Sequence, residues 1–313
     1  MALPTNTFAT YQAIGNREDL SDDIWKISPT DTPFFSAIDK VKATATYHEW
    51  QTQALPSVDT SNAVLEGDDA TTDAVTPTVR LGNYCQISDK VARVTGTQQV
   101  VDHAGRDDEL AYQEMLMGQA LKIDVDTILC GTNQARVAGD TTTARKTASV
   151  LSWIATNDDH VGTSPTTIGT TTRVDGTQRA FTEAQLKNVF QLIWTQGGKP
   201  DMILVGGFNK QVFSSFTGRS TPMEEAKSKK IVASVDAYES DFGTVKVVAS
   251  RNVRSRDCLV LESDKWAVAH LRKMESIPLA VTGDSRRKQL ITEYALVARN
   301  EKASGGVFDL TTS

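Results

Sequence analysis

The stretch DDELAYQEMLMGQALKIDVDTILC, residues 107–130, predicts one uninterrupted helix of about six or seven turns at 3.6 residues per turn. Three acids open it, where the partial positive charge of a helix start favours them: Asp107, Asp108 and Glu109. Gly131 follows and is expected to end the helix in the left-handed conformation. The apolar residues form two stripes on opposite faces: Leu110, Met117, Leu121, Val125 and Ile128 on one, and Tyr112, Leu116 and Ile123 on the other. A surface helix needs only one apolar stripe. The sequence therefore predicts a helix gripped from both sides, by its own long strands and by an arm or loop.

Composition excludes several classes of protein. The chain has 313 residues, of which 39% are hydrophobic, and a net charge of -6, which argues against binding nucleic acid through overall charge. Its three cysteines are widely separated and contain no CxxC pair, so neither a disulfide framework nor a zinc site is expected. The beginning lacks the pattern of a signal peptide, and no stretch approaches the roughly 18 apolar residues of a membrane span. We expect a soluble protein made in the cytosol.

Residues 1–43 have the character of an arm. Leu20 to Ile27 could form a short helix, and a second helix is expected after Thr32, with Pro33 in its first turn. Trp25, Phe34 and Phe35 give this segment more apolar surface than it can bury alone. It either folds back on its own domain or reaches a neighbouring chain.

Residues 44–95 predict a long two-stranded excursion. The outgoing strand is TATYHEWQTQ (44–53), which carries Trp50, and the returning strand is TVRLGNYCQISDKVARVTG (78–96). A polar, Thr- and Asp-rich loop of more than twenty residues connects them, and loops of that kind are usually functional or disordered. Because an isolated two-stranded ribbon is marginal in water, we expect it to lie on another surface.

The rest of the chain has an α/β pattern followed by long strands. Helices are predicted over 181–198, with Thr182 as cap, and over 207–216; strands are predicted over 201–205 and 243–250. VLSWIAT (150–156) is interpreted as a short strand or turn, and DCLVLE and KWAVAHLR as a hairpin around Ser263 and Asp264. Two long strands, MESIPLAV and RKQLITEYALVARN, and a last strand GVFDL complete the chain.

Motifs for catalysis, cofactors and metals are missing from the sequence. There is no GxSxG, GxGxxG or phosphate-binding loop, and the four histidines lack metal-ligand spacing. We therefore predict no catalytic, cofactor-binding or metal residues. An enzyme with an α/β domain and a mobile lid at 44–95 is the alternative from another class.

Four segments in a fixed order resemble the major capsid proteins of tailed bacteriophages with the Hong Kong 97 fold: SPTDTPFFSAI (28–38), YHEWQTQAL (47–55), EGDDAT (66–71) and EYALVARNEKASGGVF (293–308). The resemblance spans essentially the whole chain and implies an α+β fold. It implies an amino-terminal arm (1–43), an extended loop (44–95), a peripheral domain (96–135 and 272–303, with the spine helix at 107–130) and an axial domain (136–271 and 304–313).

The same resemblance implies self-assembly into an icosahedral shell of hexamers and pentamers around double-stranded DNA, with a portal protein and without sequence specificity for the DNA. The chain would be made and assembled in the host cytoplasm and end in the virion. An encapsulin-type compartment shell of the same fold is the alternative that the resemblance leaves open.

Two departures from the family pattern change what is expected. Cross-linking members join a lysine of the extended loop to a neighbour's asparagine, but no lysine lies between Lys42 and Lys90. We therefore predict a non-covalent shell, with a decoration protein as a possible reinforcement. The chain also begins almost directly with the arm, so scaffolding is expected to be a separate protein or dispensable.

Opposite charges at two predicted tips suggest one contact between subunits. The loop tip carries Glu66, Asp68 and Asp69, and the predicted tip between the last long strands carries Arg286, Arg287 and Lys288. We expect the loop of one subunit to lie over a neighbour's basic residues, the alternative being two unrelated solvated tips. The remaining predicted inter-subunit contact residues are Trp25, Phe34, Phe35 and Trp50.

Overall fold

The computed structural model describes residues 29–56, 58–69, 72–102, 105–216 and 237–313. The helix predicted over Leu20 to Ile27, with Trp25, lies outside the described residues. Six α-helices are described: α1 Pro33–Ala37, α2 Gly96–Val100, α3 Glu109–Asp126, α4 Val150–Trp153, α5 Glu183–Thr195 and α6 Gly207–Ser214. Twelve strands are described: β1 Asp39–Lys42, β2 Tyr47–Thr52, β3 Val79–Tyr84, β4 Gln86–Thr95, β5 Asp158–Asp159, β6 Met202–Val205, β7 Ala237–Ser240, β8 Gly243–Ala249, β9 Cys258–Leu261, β10 Trp266–Pro278, β11 Ser285–Ala298 and β12 Gly305–Val307.

The central helix α3 is shorter at its start than the predicted span. Asp108 is its N-cap, with a side chain that accepts a hydrogen bond from Ala111 N, so only Glu109 of the three acids lies in the first turn. The helix then continues as one π-helical turn, Thr127–Gly131. The expected left-handed end at Gly131 is wrong. Glycine is needed there because a Cβ atom would fall on the Asn252 carbonyl oxygen.

The helix α3 lies against a four-stranded sheet of order β1-β10-β11-β4. Strands β10 and β11 are the two longest and pair antiparallel from Trp266 opposite Ala298 to Pro278 opposite Lys288. The edge strand β4 pairs with β11 over ten residues. The predicted returning strand 78–96 is therefore two strands that separate at Cys85: β3 pairs with β2 in the ribbon, whereas β4 belongs to this sheet.

The second sheet has six strands in the order β5-β12-β9-β6-β8-β7 and carries the predicted α/β pattern. Helix α5 covers it with four apolar residues, which are all buried: Leu186, Val189, Phe190 and Ile193. The predicted hairpin around Ser263 and Asp264 is wrong, because β9 lies in this sheet and β10 lies in the other. The strand or turn expected at 150–156 is instead the short, buried helix α4.

Two apolar cores correspond to these two sheets. The larger one joins α1, the end of α3, α4 and one face of both sheets, around the buried indoles of Trp153 and Trp266. The other lies between α5, α6 and the opposite face of the six-stranded sheet. Phe34 belongs to the first core, so the described end of the arm is part of the folded subunit.

Candidate assembly surface

The β2–β3 ribbon is anchored at its base and uncovered at its tip. At the base, the Trp50 indole N–H donates to the Ala298 carbonyl oxygen at 2.9 Å, and its ring lies 5.4 Å from that of Trp153. The predicted contact residue Trp50 is therefore half-buried within its own subunit. Its partners belong to the same subunit, and they fix the direction in which the ribbon leaves the core.

A buried amide fixes the other strand of the ribbon. Asn83 is fully buried and donates to Thr147 Oγ1 at 2.9 Å and to the Leu296 carbonyl oxygen at 2.8 Å. Its Oδ1 atom accepts from Ala148 N at 2.9 Å. A buried polar group costs stability unless it is hydrogen-bonded. Here one side chain bonds β3 to two other segments of the chain, at 147–148 and at 296. Beside it, a Cβ at Gly82 would lie 2.7 Å from the Tyr47 ring, so glycine lets the two strands close.

Beyond this base, the described residues of the connecting loop 53–78 are all exposed. Its apolar side chains are strongly exposed: Leu55 is 92%, Val64 is 85% and Leu65 is 80% exposed. The predicted contact residues Glu66, Asp68 and Asp69 are exposed beside them. An exposed apolar series on a long loop is typical of a surface that another molecule covers.

The predicted contact residues of the arm have different positions. Phe34 is fully buried and packs edge-to-face with Trp266 at 6.4 Å between ring centroids. Phe35 is half-buried, and its backbone N–H donates to Asp126 Oδ1 at 2.7 Å. For Phe34 the own-domain alternative holds, because this side chain has no surface left for a neighbour. Trp25 lies outside the described residues.

The three basic residues are not at a tip, which is a correction to the sequence interpretation. The turn between β10 and β11 covers 279–284, whereas Arg286, Arg287 and Lys288 lie inside β11. Lys288 Nζ lies 2.6 Å from Glu114 Oε2 of α3, and Arg287 Nη2 donates to the Ala280 carbonyl oxygen at 2.8 Å. Arg286 alone of the three is exposed. The structure does not bring these residues together with the acidic loop tip of the same chain.

The structure shows the surroundings of some residues in each apolar stripe of the spine helix. Leu110 packs on Ala92 and Val94 of β4 with Met117 beside it, which confirms the contact with the subunit's own strands. On the opposite stripe, Leu116 and Ile123 are half-buried, so neither faces open solvent. Their contact with the arm or extended loop stays a prediction.

A buried ionic cluster beside the six-stranded sheet was not found from the sequence. Asp309 accepts hydrogen bonds from the backbone N–H groups of Val161, Gly162 and Gly176, and from Arg256 Nη2 at 2.7 Å. Burial raises its pKa, but these donors outweigh burial and hold the pKa below its ordinary value. The cluster ties the polar segment 158–176 to the end of the chain. A positive φ of 61° at Asp309 is the only local sign of its role.

Its neighbour Asp257 is in a different electrostatic position. Only 1% of the residue is exposed, and its nearest charged group is Arg254 Nε at 3.3 Å. Burial raises the pKa of Asp257 to about 7, against the attraction of Arg254. The scattered spacing of these residues in sequence gave no signal, because the fold alone brings them together.

These features match a known family. The family model of the SU10 major capsid protein matches residues 3–311. The chain belongs to the SU10 major capsid protein family. A curated major capsid protein of Escherichia phage Phieco32 is 28% identical over 98% of this chain and 98% of its own length. The predicted resemblance to the major capsid proteins of tailed phages with the Hong Kong 97 fold is confirmed.

Solved structures show the same fold. The cyanophage A-1(L) capsid asymmetric unit matches with a TM-score of 0.64 at 14% identity, covering 97% of this chain and 99% of that one. A structure of phage G, described as gp27 major capsid proteins and gp26 decoration proteins, matches with a TM-score of 0.54 at 9% identity, covering 99% and 100%. The predicted α+β capsid fold is confirmed. The chain is a structural capsid protein of a tailed phage, not an enzyme.

In the part of the chain that the structure describes, no helix is long and apolar enough to cross a membrane. Within those same residues, no group of three or more His, Cys, Asp or Glu side chains could hold a metal ion.

Proposed function

We propose that this capsid protein assembles into an icosahedral shell of hexamers and pentamers that encloses the double-stranded DNA genome of a tailed phage. The observation that carries the proposal is the loop 53–78, whose exposed apolar side chains have no cover within the described subunit. In a closed symmetric shell, every copy can cover a neighbour's loop and have its own covered. The portal protein and packaged DNA are part of this proposal, as are assembly in the host cytoplasm and residence in the virion.

Electron microscopy of the purified protein tests the shell. Uniform polyhedral particles are expected, and a discrete monomer or dimer at all concentrations would contradict the proposal. Nuclease treatment of particles from infected cells then separates the two shell types. Protected DNA is expected for a phage head, whereas particles that hold protein cargo instead would favour the encapsulin-type alternative.

We also propose a shell held without covalent cross-links. The chain has no lysine between Lys42 and Lys90, so the loop cannot supply the amine of the family's isopeptide bond. Boiling assembled particles in denaturant should release single chains only, and a ladder of covalent oligomers would contradict this. A separate scaffolding protein and a decoration protein remain proposed partners.

The four-part division of the chain is likewise proposed, with one adjustment. Strand β4 (86–95) and the first half of β10 (266–271) pair with β11, which supports assigning both to the peripheral domain. The extended loop would then run from 44 to 85, and the peripheral domain would contain the whole four-stranded sheet. Limited proteolysis of the unassembled subunit should cut within 53–78 before it cuts in either sheet.

For the contact between subunits, we propose that the acidic tip of Glu66, Asp68 and Asp69 approaches Arg286 of a neighbour. Arg287 and Lys288 are left out because their partners lie in their own subunit. Arg286→Glu should slow assembly, and reversing the three acids to lysine in the same chain should restore it. Arg251→Glu is the matched control, since Arg251 is exposed and its ion pair among the described residues is with exposed Asp31. Normal assembly of Arg286→Glu at physiological salt would contradict the contact.

A further inference from the structure

A groove beside the spine helix is lined mainly by two kinds of side chain, apolar ones and lysines. It encloses about 760 Å³ between α1, β1, α3 and β10. Five of its lining residues are apolar or aromatic: Phe35, Val41, Val125, Leu271 and Met274. Four more are lysines: Lys40, Lys42, Lys122 and Lys273. The groove is therefore an apolar floor with a positive rim.

The positive rim is electrostatically unbalanced. All four lysines are exposed, and none of the described residues that line the groove is an aspartate or a glutamate. None of the four ammonium groups forms an ion pair among the residues that the structure describes. Lys40 Nζ lies 5.0 Å from the centre of the Phe35 ring, and His270 Nδ1 is buried without a hydrogen-bond partner in the described residues. An acidic, partly apolar chain segment would satisfy both the floor and the rim.

The arm contains a segment with this composition. Residues 18–27, EDLSDDIWKI, hold four acids and one base, Lys26, so the number of acids equals the number of lysines at the rim. Within the helix predicted from the sequence, Leu20, Ile24 and Ile27 have the spacing i, i+4, i+7 that puts them on one face. The segment therefore combines an apolar stripe with negative charge.

Chain connectivity favours the same molecule as the source. Phe35, which lines the groove, is only eight positions after Ile27, so the segment is tethered within roughly 29 Å of it at about 3.6 Å per residue. A short flexible tether gives an effective concentration in the mM range. A neighbouring subunit must reach the groove without this advantage.

We propose that residues 18–27 of the arm dock into the groove of their own subunit, with Leu20, Ile24 and Ile27 on the apolar floor and the four acids at the lysine rim. Docking would extend the core past Phe34 and cover one side of the spine helix before any shell forms. The inference concerns the single subunit and is independent of the proposed shell.

Disulfide cross-linking in the full chain tests this placement. Ile24→Cys combined with Met274→Cys should give a monomer that migrates faster on a non-reducing gel after mild oxidation. The native cysteines Cys85, Cys130 and Cys258 are all buried and should not interfere. The matched control pairs Ile24→Cys with Val174→Cys, an exposed apolar position away from the groove. A disulfide-linked dimer would overturn the proposal in favour of a neighbour's arm, and no cross-link above the control would overturn it outright.

Charge reversal tests the rim separately. Asp22→Lys with Asp23→Lys should slow cross-linking on the order of tenfold, since two attractions to the lysine rim are replaced by repulsions. Adding Lys122→Glu and Lys273→Glu should restore the rate, and failure to restore it would contradict the electrostatic match. If the cysteine variants do not fold, the difference in emission between the native protein and Trp25→Phe provides a second measurement. A blue-shifted contribution from Trp25 is expected, and the emission of a fully solvated indole would overturn the docking.

Discussion

The indole N–H of Trp50 donates to the carbonyl oxygen of Ala298, 2.9 Å away, and so joins the base of the extended ribbon to the end of β11. The two residues are 248 positions apart in the chain. This bond and the packing on Trp153 fix the ribbon at its base, whereas the described residues of its tip are exposed. The fixed base therefore holds the exposed loop in a defined direction relative to the folded subunit.

Replacing Trp50 by phenylalanine tests this anchor. Trp50→Phe keeps an aromatic ring against Trp153 but removes the hydrogen bond, so the free energy of unfolding should fall by about 1 kcal/mol. Chemical denaturation of the unassembled subunit measures the change. Trp194→Phe is the control, since Trp194 is 61% exposed and should shift stability little. Equal effects of the two substitutions would contradict a structural role for the Trp50 bond.

The buried amide of Asn83 should be more sensitive than any exposed asparagine. Asn83→Ala removes the hydrogen bonds of this amide to Thr147 Oγ1, Ala148 N and the Leu296 carbonyl oxygen in the core, and each buried group left unsatisfied costs about 1–3 kcal/mol. We expect a loss of about 3 kcal/mol or more in the free energy of unfolding. Asn188→Ala is the matched control, because Asn188 is exposed and bonds only to Asp159. A loss below 1 kcal/mol for Asn83→Ala would show that the network does not hold the ribbon.

A substitution at Gly131 tests the close approach between the π-helical turn and the 250–254 segment. Gly131→Ala would drive a methyl group into the Asn252 carbonyl oxygen, and overpacking of this kind costs about 1–3 kcal/mol. Gly207→Ala is the control, since nothing lies within 4 Å of a Cβ there. Thermal unfolding should show a lower Tm for Gly131→Ala and an unchanged or higher Tm for Gly207→Ala. An unchanged Tm in both variants would show that the π-helical turn accommodates the added methyl group without a loss of stability.

The raised pKa of Asp257 predicts a pH dependence of stability. The folded-state pKa of about 7 lies above the ordinary value of 3.8, so the folded protein holds this proton more tightly than the unfolded chain. Its contribution to stability is fully present below pH 3.8 and is lost as the pH rises through about 7. Over that window it lowers the free energy of unfolding by up to about 1.4 kcal/mol per pH unit.

Asp257→Asn removes this titration and should flatten the pH profile between about pH 4 and 7. Denaturation series at several pH values, compared with the native protein, measure the difference in slope. Asp264→Asn, at an exposed aspartate, is the control and should keep the native slope. Parallel profiles for the native protein and Asp257→Asn would contradict a titrating Asp257.

Local patterns in the sequence were sufficient for the regular elements. The apolar spacing and Thr182 cap of α5, the buried run of β6 and the Pro33 start of α1 each depend on neighbours within a few residues. The order of arm, loop, long helix and final strands also carried the family. A periodic apolar face reports burial because side chains recur on one side of an element, whatever the partner is.

Pairing across the chain needed the tertiary structure. Strands β3 and β4 form one continuous apolar and polar pattern, yet they belong to different sheets because the chain turns at Cys85. Likewise β9 and β10 have the sequence pattern of a hairpin. In the structure β9 pairs with β6 and β12, whereas β10 pairs with β1 and β11. Strand patterns show which face is buried without showing against which strand.

The sequence alone determined that this is a major capsid protein with a long helix, since the family follows from the order of its segments and the helix from local periodicity. Only the tertiary structure decided which charged and aromatic residues are free to meet a neighbour. It placed Lys288 on Glu114, Phe34 in the core and Trp50 on Ala298, and among the described residues it left the loop tip and the lysine-rimmed groove uncovered. The physical reason is that availability depends on contacts between residues far apart in the chain, and no local pattern records those contacts.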